Sequence, residues 1–153
     1  MEALNKLAAC AGDWRGTSRL QDPENNVADD SASAATVTPV LKGKFIRLDY
    51  TWAYHEDPQE GSLLMGHDAK TRSLTAHWID TWHMGNKVMA CQGAIAENGV
   101  ISLLGSYAAP PGPDWGWRTI VTPGDDGTLS LVMYNIYPDG REELAVESHY
   151  NRA

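Results

Sequence analysis

Apolar and polar residues alternate with a period of two along most of this chain. In the run "FIRLDYTWAY", Ile46, Leu48, Tyr50, Trp52 and Tyr54 share one face, while Phe45, Arg47, Asp49 and Thr51 share the other. Period two marks a β-strand with two unlike faces. Comparable runs predict about ten strands, over residues 13–21, 31–40, 44–55, 61–68, 73–82, 87–95, 99–107, 115–122, 128–137 and 141–152. Between them stand turn signals: "DPENN", "LKGK", "HEDPQEG", "DAKTR", "MGNK", "AENG", "AAPPGPD", "PGDDG" and "YPDG". No helical run long enough for a crossover separates any two strands, so βαβ units are excluded. Only the start departs from period two. Leu4, Leu7 and Ala8 recur at helical spacing ahead of Gly12, which predicts a short helix within residues 1–11.

A long antiparallel meander leaves two unpaired edges unless it closes on itself. The predicted fold is therefore all-β: an antiparallel, up-and-down barrel of roughly ten strands. It forms a single domain over residues 1–153, with the N-terminal helix plugging one end. Barrels of about this size can enclose a small ligand.

Charge narrows the partners. A net charge of −8, with Lys and Arg scattered singly, excludes nucleic acid backbones and anionic membrane surfaces. The N-terminus has no long apolar core, so no secretory signal is expected. No later stretch is apolar for long enough to span a bilayer, and a cytoplasmic location is expected. Cys10 and Cys91 are too far apart for a CxxC motif and read as reduced, buried thiols. No metal site is expected.

Two ends of the chain carry a resemblance. "GDWRG" (Gly12 to Gly16) opens the first strand and "YNR" (Tyr150 to Arg152) closes the last. The arrangement resembles that of calycins, the lipocalin and fatty-acid-binding-protein superfamily. There an Arg crosses a Trp ring at the closed end, and the resemblance implies this structural role for Trp14 and Arg152. The chain is also similar, through "GDWRGTSRL", "LKGKFIRLDY", "EGSLLMGHDAKTRSL", "HWIDTW", "GPDWGWRTI" and "DGREELAVESHYNR", to the bacterial family called domain of unknown function 1579. That resemblance implies a barrel and assigns no catalytic residue.

The densest chemistry lies in "TAHWIDTWH", residues 75–83. Read as one strand, it separates His77 from His83 by roughly 20 Å, too far to share a metal. It also places Asp80 on the face opposite His77, so neither a metal site nor a dyad is expected. Trp78 and Trp82 would flank Asp80 at about 6–7 Å on each side. Among such residues a carboxylate must be paired or protonated. Three readings follow: an ion pair with Arg47 or Arg118, a ligand site with the tryptophans as stacking walls, or acid–base catalysis by Asp80.

Other candidates are fewer. Arg47 and Asp49 read either as an internal salt bridge or as cavity lining. The loop 108–117 reads as a lid carrying Trp115 or as a rim connection. Nitrobindin-like barrels, which resemble this architecture, hold haem through one histidine. His67, on the Leu63–Met65 face, is the better candidate here, and His149 reads as a surface residue.

The first expectation is thus a barrel that binds a small apolar or aromatic molecule, with Arg47, Trp52, Trp78, Asp80, Trp82 and Arg118 around it and no cofactor required. The alternatives are a proton-transfer enzyme of the isomerase or cyclase type using Asp80, a haem protein, and a barrel filled by its own side chains. Self-association is compatible with each.

Overall fold

The computed structural model describes residues 4–22 and 26–153. The "DPENN" turn and the first positions of the expected helix fall mostly or wholly outside them. A single turn of helix, α1 (Asn5–Ala8), leads into ten strands: β1 (Gly12–Asp22), β2 (Val27–Val40), β3 (Phe45–Tyr54), β4 (Asp57–Asp68), β5 (Ser73–Asp80), β6 (Met89–Ile95), β7 (Ile101–Tyr107), β8 (Trp115–Pro123), β9 (Thr128–Ile136) and β10 (Glu142–Arg152). Each strand pairs antiparallel with the next, and β10 returns to pair with β1, closing the barrel. Closure satisfies the backbone groups that an open meander would leave exposed at its edges.

Alternation decides what enters the core. In β3, Ile46, Leu48, Tyr50 and Trp52 are buried while Arg47 and Thr51 are exposed. The charged face of this strand therefore looks outward, where Arg47 Nε meets Asp49 Oδ2 at 2.8 Å.

The two ends of the barrel differ. At one end lie α1 and the turns after β2, β4, β6 and β8. Leu4 and Leu7 enter the core there, and Lys6 holds the carbonyl of Asn98 and the carboxylate of Asp125, each at 2.8 Å. The Arg152 guanidinium lies 4.5 Å from the centre of the Trp14 ring and donates to the carbonyls of Ala9 and Ala11. Trp14 Nε1 donates to the carbonyl of Cys10 at 2.8 Å. Cation–π contact and backbone bonds thus tie helix, first strand and last strand together. Above them, Ile46, Leu48, Leu63, Met65, Leu74, Leu103, Val121 and Leu131 fill the interior of this half.

At the other end the turns after β3, β5, β7 and β9 surround a mouth. Several elements depart here from the expected bounds. β4 begins at Asp57 because His55 and Glu56 alone make the turn, both at positive φ, as the tightest hairpin turns require. β2 starts at Val27 because polar cross-strand pairs, such as Arg19 with Asp30 at 2.7 Å, carry the β1–β2 ribbon past the apolar alternation. In β10 a bulge between Leu144 and Val146 turns Ala145 inward, away from the outer face that Glu147 and His149 keep. The most consequential departure is β5, which stops at Asp80 rather than continuing to residue 82.

Candidate functional site

β5 stops because the side chain of Asp80 replaces the next ladder bonds. Its Oδ1 accepts the backbone N–H groups of Trp82 and His83, both at 2.9 Å, and its carbonyl accepts that of Met84 at 3.0 Å. This is the turn chemistry of aspartate, whose carboxylate substitutes for backbone acceptors. The chain folds back over the mouth and returns the His83 ring to the residue that started the turn. His83 Nδ1 lies 3.0 Å from Asp80 Oδ1. The carboxylate only accepts, so Nδ1 carries a proton and donates, while Nε2 lies on the far side of the ring. The expectation that no carboxylate–histidine dyad can form in "HWIDTWH" is corrected. It assumed an unbroken strand, and the partner is His83 rather than His77.

The other carboxylate oxygen reaches into the barrel. Tyr50 donates to Asp80 Oδ2 at 2.7 Å, and Trp78 Nε1 donates to the Tyr50 hydroxyl at 2.8 Å. Tyr50, Gly61 and Asp80 sit side by side on β3, β4 and β5. The Tyr50 ring passes over the middle strand, and a Cβ on Gly61 would lie 2.3 Å from its hydroxyl oxygen. Glycine is needed at 61 so that the phenol can cross to its partner.

Asp80 is only 3% exposed. Burial alone would raise its carboxyl, but the hydrogen bond and charge of His83, the His83 backbone N–H and the Tyr50 hydroxyl together hold it below the usual carboxylate range. Burial, followed by the Asp80 charge, pushes the Tyr50 hydroxyl well above its ordinary value. Asp80 is therefore an ionised orienting group, and Tyr50 a neutral donor.

His83 stands among tryptophans. Its ring centre is 4.8 Å from Trp82, 5.3 Å from Trp117, 5.6 Å from Trp78 and 5.7 Å from Trp52. Trp78 and Trp117 stack at 5.1 Å with 14° between their planes. Trp117 is 4% exposed, and its Nε1 has no hydrogen-bond partner among the described residues. Trp78, Trp82, His83 and Trp117 wall a cavity of about 460 Å³ at the mouth, completed by Met84, Met89, Tyr107, Asn135, Ala145 and the Tyr54–Asp22 pair. Tyr107 donates to Asn135 Oδ1 at 2.5 Å, which turns the Asn135 carboxamide toward it.

The predicted site residues divide. Trp78 and Trp82 line the cavity, Trp82 from the loop rather than from a strand. Trp52 backs them, and Asp80 lies one layer behind His83. Arg47 and Arg118 are corrections. Arg47 is bound to Asp49 outside the barrel, and Arg118 is bound to Glu142 at 2.7 Å and to Ser102 at 3.1 Å, away from the cavity. Neither pairs with Asp80, whose charge is met by neutral donors and one histidine. Trp115 packs on Tyr137 at 4.3 Å on the rim and does not line the cavity. His67, opposite Leu74, lies toward the helix end, and His149 meets Glu147 on the outer face.

Sequence reasoning missed Tyr50, Gly61, His83 and Trp117 as site residues. Two signals were present: an aspartate able to start a turn just before "TWHMGNK", and a glycine inside a strand paired with an aromatic-rich neighbour. Among the described residues no group of His, Cys, Asp or Glu converges as metal ligands would, and no helix is long and apolar enough to cross a membrane.

A family profile described as "Protein of unknown function (DUF1579)" matches residues 3–152. No curated protein matches the sequence. Among solved structures, the crystal structure of Rv2717c from M. tuberculosis is similar. It has a TM-score of 0.67 and 14% identity over 100% of this chain and 98% of that one, a likeness of fold.

Proposed function

The chain belongs to the DUF1579 family, and from that premise we propose that it binds a small, flat, largely apolar molecule in the mouth cavity. One observation carries the reading: Trp78, Trp82, Trp117 and His83 wall a cavity of about 460 Å³, and the buried Trp117 indole N–H beside it has no hydrogen-bond partner among the described residues. A buried indole N–H left unpaired costs about 1–3 kcal/mol. A ligand acceptor that reaches the Trp117 donor recovers that cost. The cavity volume falls within the range of about 300–1,000 Å³ usual for small-molecule sites. Stacked tryptophans add dispersion to any planar ring between them. The same reading places the protein in the cytoplasm, which suits its buried free thiols at Cys10 and Cys91.

The test is a native mass spectrum of the protein purified without added ligand, together with tryptophan-fluorescence titrations using 1-naphthol and quinoline. The expected result is a co-purifying mass or saturable quenching, with quinoline binding weakened about tenfold by Trp117→Phe, the equivalent of one hydrogen bond. A clean apo mass with no saturable quenching by either compound refutes the proposal.

A further inference from the structure

We propose that His83 is a general base for proton transfer on a planar carbon acid bound in the mouth cavity. Asp80 is its positioning residue, and Trp117 Nε1–H is the donor to the atom that takes up the charge. This rests on the binding reading and asks more of the same site.

Binding alone does not explain the group behind His83. An Asn at position 80 would cap the turn through the same oxygen. The carboxylate is instead kept ionised at 3% exposure, with Tyr50 lying across Gly61 to reach its second oxygen. Such a charge is costly to bury and is matched here to the Nδ1–H of one imidazole. An ionised partner stabilises the imidazolium that forms only when Nε2 takes a proton, the logic of carboxylate–histidine pairs in acid–base catalysis. The ring is held by that bond and by four indoles, so Nε2 keeps one direction relative to the cavity.

Substrate class follows from the walls. A flat cyclic ketone or heteroaromatic carbon acid fits between apolar rings, and its conjugated oxygen or nitrogen can accept from Trp117, whose ring centre is 5.3 Å from that of His83. In the step, Nε2 takes a proton from the carbon beside the carbonyl. The C–H electron pair becomes the carbon–carbon double bond, and the carbonyl pair moves to the oxygen held by Trp117. Where the ketone carries a β,γ carbon–carbon double bond, the imidazolium returns the proton to the γ carbon: the oxygen pair re-forms the carbonyl, the enolate pair moves between the α and β carbons, and the β,γ pair bonds the proton. Atoms and electrons balance as an isomerisation, with no oxidant or reductant.

The probe is 5-nitrobenzisoxazole, a flat carbon acid. Loss of its C3 proton drives the C–H pair into a nitrile as the ring N–O bond breaks, releasing a coloured nitrophenolate. The 3-methyl analogue has no such proton and measures binding by tryptophan quenching. The charged and titratable groups facing His83 are Asp80 and Tyr50 behind it, with Asp22, Tyr54 and Tyr107 across the cavity. The expected result is turnover above the buffer rate that falls on the order of 10²–10⁴-fold in His83→Gln. In Asp80→Asn, turnover falls and its pH profile shifts, while the analogue still binds. Nitrogen-15 NMR of the unaltered protein, which needs no variant to fold, shows the proton on Nδ1. Analogue binding without turnover, turnover unchanged in His83→Gln, or a proton on Nε2 overturns the base and leaves the binding reading standing. Failure of the analogue to bind, with no quenching by 1-naphthol either, overturns both.

Discussion

Replacing Tyr50 by Phe removes one oxygen and leaves the ring lying across Gly61. Two buried groups then lose a partner: Trp78 Nε1, which donates to that hydroxyl at 2.8 Å, and Asp80 Oδ2, which accepts from it at 2.7 Å. Leaving the indole N–H unpaired costs about 1–3 kcal/mol, and losing a hydrogen bond to a charged group costs about 1.5–3 kcal/mol. The sum is roughly 2.5–6 kcal/mol, since both groups are too deep for water to replace the hydroxyl fully. Unfolding entropy near 2.1 cal/mol/K per residue, over 153 residues, converts this to a fall in Tm of roughly 8–19 °C. Thermal and guanidinium unfolding, followed by tryptophan fluorescence and near-ultraviolet circular dichroism, measures it. Tyr137→Phe is the matched control, because that hydroxyl meets the exposed side chains of Glu143 and Arg141, and its midpoint should stay in place. If Tyr50→Phe melts with the unaltered protein, the hydroxyl does not couple Trp78 to Asp80 and the account of the site fails.

Two other outcomes follow from the same geometry. Gly61→Ala puts a methyl where the Tyr50 ring lies and should destabilise by about 1–3 kcal/mol through overpacking, while weakening 1-naphthol quenching because the ring is driven toward the Asp80–His83 pair; an unchanged melt and titration would sink this. Asp80 has a folded-state value below its unfolded one, so it contributes stability above the unfolded value of about 3.9 and loses it as pH falls through the lower, folded value. Guanidinium melts from neutral pH downward should therefore show the lead of the unaltered protein over Asp80→Asn constant at neutrality and shrinking below about pH 4, and a lead that widens on acidification contradicts the assignment.

Much of the barrel was legible in the sequence, and the reasons are local. Period-two alternation in runs such as Phe45 to Tyr54 identifies strands residue by residue, and Gly, Pro, Asn and Asp between runs identify reversals. Closure follows because a meander without helices has nowhere else to hide its edges. The site was legible only in part, as the tryptophans of "HWIDTW". Alternation separates the faces of a strand without saying which is inward, so Arg47 and Arg118 remained candidates for the interior. Nor does alternation reveal a side chain that ends its own strand, as Asp80 does.

Tyr50 and Asp80 are 30 residues apart, and they meet only because two hairpin registers add up to place Gly61 between them. A one-residue slip in either hairpin would turn one of them to the opposite face. Those registers depend on turns such as His55–Glu56, whose conformation the residue types do not advertise. Strand identity is thus a property of each segment, already written in its pattern. Which histidine faces which carboxylate is a property of the summed registers, and only the closed barrel decides it.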